Sequence, residues 1–303
     1  MSAGIVFQQM VIIFLLILTG YIVYRKGIVK AEISKGISAL VVNVCNPAIL
    51  IRSAFERDAS ITNENLLLAM LGCALMYVIL LAASRILPGV LRVEPKWRNH
   101  YALMSIFGNT GFIGIPLVSA VLGSQALIYV AIVNAYFNLL FYTFGIWLAD
   151  GSQSGFSWKN FLNIGNLSIA VTIVLFLWNV KLPVVITSTI DYIANTTTFL
   201  AMVVIGISLA RTRLLDIFTE KRLYVFIVLR FLVIPVFTGF LLRMFIKDAL
   251  VYGTIVLMAA VPIANLPLMR VEETGGDGTL LSKGIILSTI LSLVTIPIVT
   301  AFV

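Results

Sequence analysis

Between positions 108 and 116, inside an otherwise apolar run, stand Gly108, Asn109, Thr110, Gly111, Gly114 and Pro116. Glycine loosens the backbone, and proline removes an N–H and collides with the preceding turn, so a helix through this stretch is expected to unwind. Unwound backbone in a membrane must face protein or a water-filled cavity, and a ligand can use the same unpaired groups. The half-helix that restarts near Pro116 presents the positive end of its dipole, which suits a carboxylate. In the second half of the chain Pro262 and Pro267 flank Asn265, and GIPLV at 114–118 is echoed by NLPLM at 265–269, half the chain away. Matched interruptions in two halves are a sequence pointer to a transporter site. The candidate substrate-binding residues are therefore Asn109, Thr110, Gly111, Gly114, Pro116, Pro262, Asn265 and Pro267, with Arg230 beside them. Of the two asparagines, Asn109 lies in the break itself and is read as a ligand contact. Asn265 is balanced between ligand contact and helix packing.

Arg230 is the ionisable residue set deep in an apolar span, nine residues from Lys221 and so about 13 Å in at 1.5 Å per residue. A charge at that depth marks a substrate or ion path, or pairs with backbone carbonyls in a structural role. The sequence leaves both roles open. Its nearest acids, Glu220 and Asp248, sit at helix ends. Asn134 with Asn138, and Asn43 with Asn46 and Pro47, read as links between helices, and Ser288, Thr289, Ser292 and Thr295 read as packing. Cys45 and Cys73 form no spaced metal or redox motif. Gly275, Gly276 and Asp277 faintly resemble the acidic motif of intramembrane aspartyl proteases. That chemistry needs a second, close carboxylate, and the remaining candidate, Asp191, is expected on the opposite side of the membrane. No enzyme, metal site or cofactor is expected.

The elements that must carry these residues are membrane helices. Of 303 residues 60% are hydrophobic and 11% charged, and the mean hydropathy is +1.07, far from a soluble composition. Apolar runs of about 20 residues match a hydrocarbon core as helices and are too long for barrel strands. The net charge of +8 is scattered between these runs, which excludes a nucleic-acid face. Spans are expected at 5–24, 36–55, 65–87, 101–122, 125–149, 161–179, 187–210, 221–245, 249–271 and 280–302. The first begins without a basic segment and is expected to be retained rather than cleaved.

With the N-terminus outside, the inner loops carry Arg25, Lys26, Lys30, Lys35, Arg85, Arg92, Lys96, Arg98, Lys159, Arg211, Arg213, Lys221, Arg222, Arg270 and Lys283. The outer loops carry Arg52, Arg57, Lys181, Arg243 and Lys247. This excess of basic residues on one side orients the chain in a cell membrane with both termini on the extracytoplasmic side. Ten spans divide into five and five, residues 1–150 and 151–303. An odd number per half makes the second repeat enter the membrane inverted.

These residues resemble the auxin efflux carrier family, whose bacterial members include malonate and malate permeases and whose plant members are the PIN-type carriers. The resemblance is carried by NTGFIGIPLV at 109–118 and LRFLVIP at 229–235, and by GISLA at 206–210 and VPIANLP at 261–267. GGD at 275–277 and LSTILSLVTIPI at 287–298 complete it, and together the motifs span most of the chain. It implies ten helices in two inverted five-helix repeats, with the fourth and ninth crossing at their breaks. It implies further that helices one, two, six and seven form a scaffold, and helices three to five and eight to ten a transport domain that moves past it. It also implies a homodimer in the lipid bilayer and a carboxylate held near Asn109, Gly111 to Pro116 and Pro262 to Pro267. The long cytoplasmic loop of the plant carriers is absent, since residues 150–160 form a short link. Ile263 follows Pro262 where some plant carriers place a polar residue. The expected function is elevator-type carriage of small organic anions such as malate, malonate or auxin-like acids. The alternative is a channel or a membrane ligand sensor without turnover. For a coupling ion the sequence leaves a proton or sodium.

Overall fold

The computed structural model describes residues 3–55, 61–150, 162–211 and 220–302. The described residues are all-helical, as expected, with fifteen α-helical segments and an isolated backbone bridge as their only β-type pairing. The segments are α1 (Ala3–Arg25), α2 (Ala31–Leu40), α3 (Asn46–Phe55), α4 (Asn63–Val90), α5 (Arg98–Ile106), α6 (Ile115–Leu122), α7 (Leu127–Leu140) and α8 (Ile146–Ala149). The second half has α9 (Ile164–Leu177), α10 (Val184–Arg211), α11 (Lys221–Val228), α12 (Ile234–Arg243), α13 (Ala249–Ala260), α14 (Leu266–Glu273) and α15 (Thr279–Phe302). Wide turns with π-helical bonding join α2 to α3 at Val41–Cys45, lead into α6 at Thr110–Gly114, join α7 to α8 at Phe141–Gly145, and join α11 to α12 at Leu229–Val233. Such turns recur at functional sites.

Among the described residues seven helices are long and apolar enough to cross a membrane: Gly4–Arg25, Ile33–Phe55, Asn63–Val90, Ser124–Ala149, Val184–Arg211, Lys221–Arg243 and Thr279–Phe302. Three shorter apolar helices, Thr110–Leu122, Ile164–Leu177 and Ala249–Ala260, lie in the other three expected spans. Arg57, Lys159 and Arg213 of the charge argument, and residues 151–160 of the short link, lie outside the described residues.

Helix starts follow from local chemistry. The Thr62 hydroxyl accepts from Asn65 N at 3.2 Å ahead of α4, the Asn163 side chain from Asn166 N at 2.9 Å ahead of α9, and the Asp248 carboxylate from Leu250 N and Val251 N at 3.0 and 2.9 Å ahead of α13. Each satisfies N–H groups that a helix cannot pair internally. Side-chain packing then places the helices. α1 runs along α10, and α3 along α9. The α1–α10 contact is backbone on backbone: a Cβ on Gly206 would stand 2.0 Å from the Ile17 carbonyl oxygen, and one on Gly20 2.4 Å from that of Val203. Arg52 ties α3 to α10, its Nη1 donating to Asn195 Oδ1 at 2.9 Å and its Nε lying 3.4 Å from the Asp191 carboxylate. The buried core is continuous through α4, α5, α7, α13 and α15, the segments that surround the two interruptions.

Candidate functional site

Both expected interruptions are present, and they meet. After α5 the chain leaves helical form at Phe107 and Asn109 and turns helical again at Thr110, and after α13 it is extended from Val261 and restarts at Leu266. Gly108 and Ile263 form an antiparallel bridge: Asn109 N donates to the Pro262 carbonyl at 2.6 Å, and Ala264 N to the Phe107 carbonyl at 3.0 Å. Two short stretches of extended backbone thus satisfy each other where lipid cannot. Ser288 of α15 supports the second stretch, its Oγ accepting from Ile263 N at 3.1 Å and donating to the Ile285 carbonyl at 3.1 Å.

The first break is shorter than its density of glycine and proline predicts. Gly111 and Gly114 lie in the π-helical turn Thr110–Gly114 and Pro116 at the second position of α6. Pro116 follows directly on that turn, whose wider i to i+5 bonding takes up the N–H that proline lacks. Gly114 has a packing cause as well, for a Cβ would fall 2.6 Å from Met258 Sδ of α13. In the second break Pro262 lies in the extended stretch, and Asn265 and Pro267 open α14, where the Asn265 side chain makes no capping bond.

The polar side chains around the first break form a small buried cluster. Asn109, 6% exposed, accepts from Phe112 N at 3.0 Å through its Oδ1. Thr110 Oγ1 donates to Asn134 Oδ1 at 2.7 Å. Asn134, 9% exposed, keeps its Nδ2 buried without a hydrogen-bond acceptor among the described residues. The Nδ2 of Asn46 lies 3.5 Å from where a Gly111 Cβ would stand, and its Oδ1 is buried and likewise unpaired among them. The sequence marks Asn46 and Asn134 as intramembrane polar residues, but their spacing within each helix is silent on which neighbour they meet. Phe107 closes one side of the break, edge-on to Phe137 and Phe141 with centroids 5.3 Å away in each case.

Arg230 is fully buried in the π-helical turn Leu229–Val233. Its Nε donates to the Ser105 carbonyl at 2.5 Å and its Nη1 to the Ala259 carbonyl at 2.8 Å. Ser105 stands in the last turn of α5 and Ala259 in the last turn of α13, so one guanidinium caps both half-helices that end at the crossing. Phe231 lies against it, 4.7 Å from ring centroid to guanidinium carbon. The four half-helix ends carry alternating partial charge, negative at α5 and α13 and positive where the Thr110–Leu122 and Leu266–Glu273 helices begin.

On the surface beyond α5, a cavity of about 220 Å³ is lined by Trp97, Tyr101, Glu220, Arg222, Asp277 and Lys283 among others. Tyr101 forms part of its wall one helical turn from Ser105, whose Oγ donates to the Tyr101 carbonyl at 2.7 Å. At its edge His100 Nε2 lies 2.9 Å from the Asp277 carbonyl oxygen. Burial pulls the imidazole below its ordinary value, and the Asp277 carbonyl and carboxylate oppose that pull. The Asp277 carboxyl is itself held below its usual range by hydrogen bonds from Thr279. The described residues contain no cluster of three or more metal-ligating His, Cys, Asp or Glu side chains.

Two comparisons now bear on this arrangement. The family model described as "Membrane transport protein" matches residues 5–166 and 162–300. The chain belongs to this family, that of the auxin efflux carriers. A relative from Methanothermobacter thermautotrophicus, described as an uncharacterized transporter, is 24% identical over 290 residues, covering 94% of each chain. As a member of the family the protein is a multi-pass membrane transporter, and the crossing is the part of it with interrupted backbone, buried unpaired polar atoms and a buried charge.

Proposed function

We propose that this family member carries small organic anions, carboxylates of the malate, malonate or auxin-like kind, by elevator-type alternating access with the substrate at the crossing. The observation that carries the reading is the break-to-break bridge at Gly108 and Ile263. It brings the positive starts of two helices to one buried place beside Asn109, Thr110 and the unpaired Nδ2 of Asn134. In this reading the chain has ten spans as two inverted repeats, residues 1–150 and 151–303, with both termini outside. The packing supports it: α1, in the first span of one half, lies on α10, in the second span of the other, and α3 on α9 repeats that relation with the halves exchanged. The homodimer implied by the resemblance belongs to the same reading.

The test is a thermal-shift screen of purified protein against dicarboxylates, monocarboxylates and indole acids, repeated with Asn109→Ala. A true ligand stabilises the native state by mass action, and its shift is expected to shrink in the variant. Counterflow of the same compound in proteoliposomes then separates a carrier from a channel or a sensor. A family-wide panel of carboxylates that shifts neither protein would overturn the reading.

A further inference from the structure

Away from the crossing, the cavity of about 220 Å³ beyond α5 gathers charged and polar groups that the fold leaves unused. Arg222 and Lys283 line it, and neither has a carboxylate within 4.0 Å or a hydrogen-bond partner among the described residues. Tyr101 lines it too. That side chain is 3% exposed, with its ring edge-on to Phe226 at 5.1 Å between centroids, and its hydroxyl has no hydrogen-bond partner among the described residues. A polar group in so buried a side chain is ordinarily paired, and here the cavity is the place from which a partner can come.

Three helices begin at this cavity: α5 after Trp97, α11 after Glu220 and α15 at Thr279. Each start carries roughly half a positive elementary charge. Two of the three lining carboxylates are already engaged: Asp277 accepts from Thr279 N at 2.9 Å, and Glu94 pairs with Lys96 at 3.2 Å. Glu220 stands in the cap position of α11 and makes no capping bond. Arg222 and Lys283 balance Asp277 and Glu220, so the helix starts leave a positive excess of about one charge. The remaining wall is apolar, with Val93, Trp97 and Leu280.

We propose that this cavity is a second anion site, separate from the crossing, that takes a small monocarboxylate with an apolar body. Its carboxylate is drawn to Arg222, Lys283 and the Tyr101 hydroxyl, and its body lies against Trp97 and its apolar neighbours. The volume exceeds the roughly 150 Å³ that admits a benzene ring. A dianion is disfavoured, because its second charge meets Glu220 and Asp277. In the topology proposed above the cavity opens on the inner side; that side rests on the carrier reading, whereas the site itself does not.

The test uses purified Asn109→Ala, in which binding at the crossing is weakened, titrated with millimolar sodium benzoate, benzamide or sodium sulfate at constant ionic strength. A saturable thermal shift is expected with benzoate and not with neutral benzamide or dianionic sulfate. Arg222→Gln and Lys283→Gln, each added to Asn109→Ala, are expected to weaken benzoate about tenfold, as loss of a charged hydrogen bond does. Tyr101→Phe keeps the ring against Phe226 and is expected to weaken it several-fold, whereas Lys26→Gln, an exposed cation in the link from α1 to α2, leaves it unchanged. The same four substitutions in the unmutated chain serve where Asn109→Ala does not fold. A benzamide or sulfate shift equal to that of benzoate, no benzoate shift, or a benzoate shift that survives both glutamine variants overturns the proposal. A benzoate shift that needs Asn109 but neither Arg222 nor Lys283 overturns it and leaves the carrier reading standing. A shift that needs Arg222 and Lys283, in a protein whose crossing binds no carboxylate, supports the cavity and sinks the carrier reading alone.

Discussion

Gly108→Ala is the sharpest perturbation of the crossing, because Gly108 has an ordinary backbone conformation and lacks only room. A Cβ there would stand 2.9 Å from Val261 Cγ2 and 3.3 Å from the Val261 carbonyl oxygen. Carbon atoms settle at about 3.5–4.0 Å, so unless the Val261 methyl turns aside the two extended strands part by roughly 0.6–1 Å. The bonds from Asn109 N to the Pro262 carbonyl and from Ala264 N to the Phe107 carbonyl, now 2.6 and 3.0 Å, then pass to the limit of hydrogen bonding. Each buried pair left unmade costs about 1–3 kcal/mol, which puts the loss near 2–6 kcal/mol. Gly111→Ala is the matched control: its Cβ meets only Asn46 Nδ2 at 3.5 Å, an ordinary contact. The assay is thermal unfolding of both variants purified in the same detergent, with the carboxylate-dependent shift measured on each. Gly108→Ala is expected to melt several degrees lower and to lose the shift, and Gly111→Ala to melt near the unmutated protein. A Gly108→Ala protein melting within about 1 °C of Gly111→Ala would show that the bridge does not hold the crossing together.

Gly206→Ala drives a methyl into the Ile17 and Tyr21 backbone of α1 at 2.0 and 2.7 Å, which no rotamer change relieves, so a loss of about 1–3 kcal/mol or more is expected on thermal unfolding. Gly36→Ala meets nothing within 4 Å in helix α2 and is expected to gain about 0.5–1 kcal/mol; equal melting of the two variants would refute the close α1–α10 contact. His100, held below its ordinary value by burial, binds fewer protons folded than unfolded between its folded value and about pH 6.5. Stability there rises with pH and is lost as pH falls through that window. Melting curves from about pH 7.5 to about pH 5 are expected to fall less steeply for His100→Gln, and identical slopes would remove His100 from the account.

The helical class, most span positions and the existence of two interruptions were legible in the residues alone. Hydropathy over about 20 residues and the helix-breaking of Gly108, Pro116, Pro262 and Pro267 are local properties, fixed by each segment's own chemistry and the need to pair backbone in lipid. The family was legible for the same reason, since its motifs are contiguous. The length of the first break was not. Breaker density predicts unwinding through Pro116, yet Gly111 and Gly114 are taken up in a π-helical turn that runs straight on into Pro116 and α6.

Partnership across the chain was decided only by the tertiary structure. That Gly108 pairs with Ile263, that Thr110 meets Asn134, and that Arg230 bonds the carbonyls of Ser105 and Ala259 depends on which helix faces lie together. The apolar pattern of a membrane helix specifies that face weakly, because lipid and protein neighbours are equally apolar. The sequence could therefore place a charge at Arg230 and leave its role open between anion and backbone. Only the meeting of α5, α13 and the Leu229–Val233 turn put two carbonyls against it.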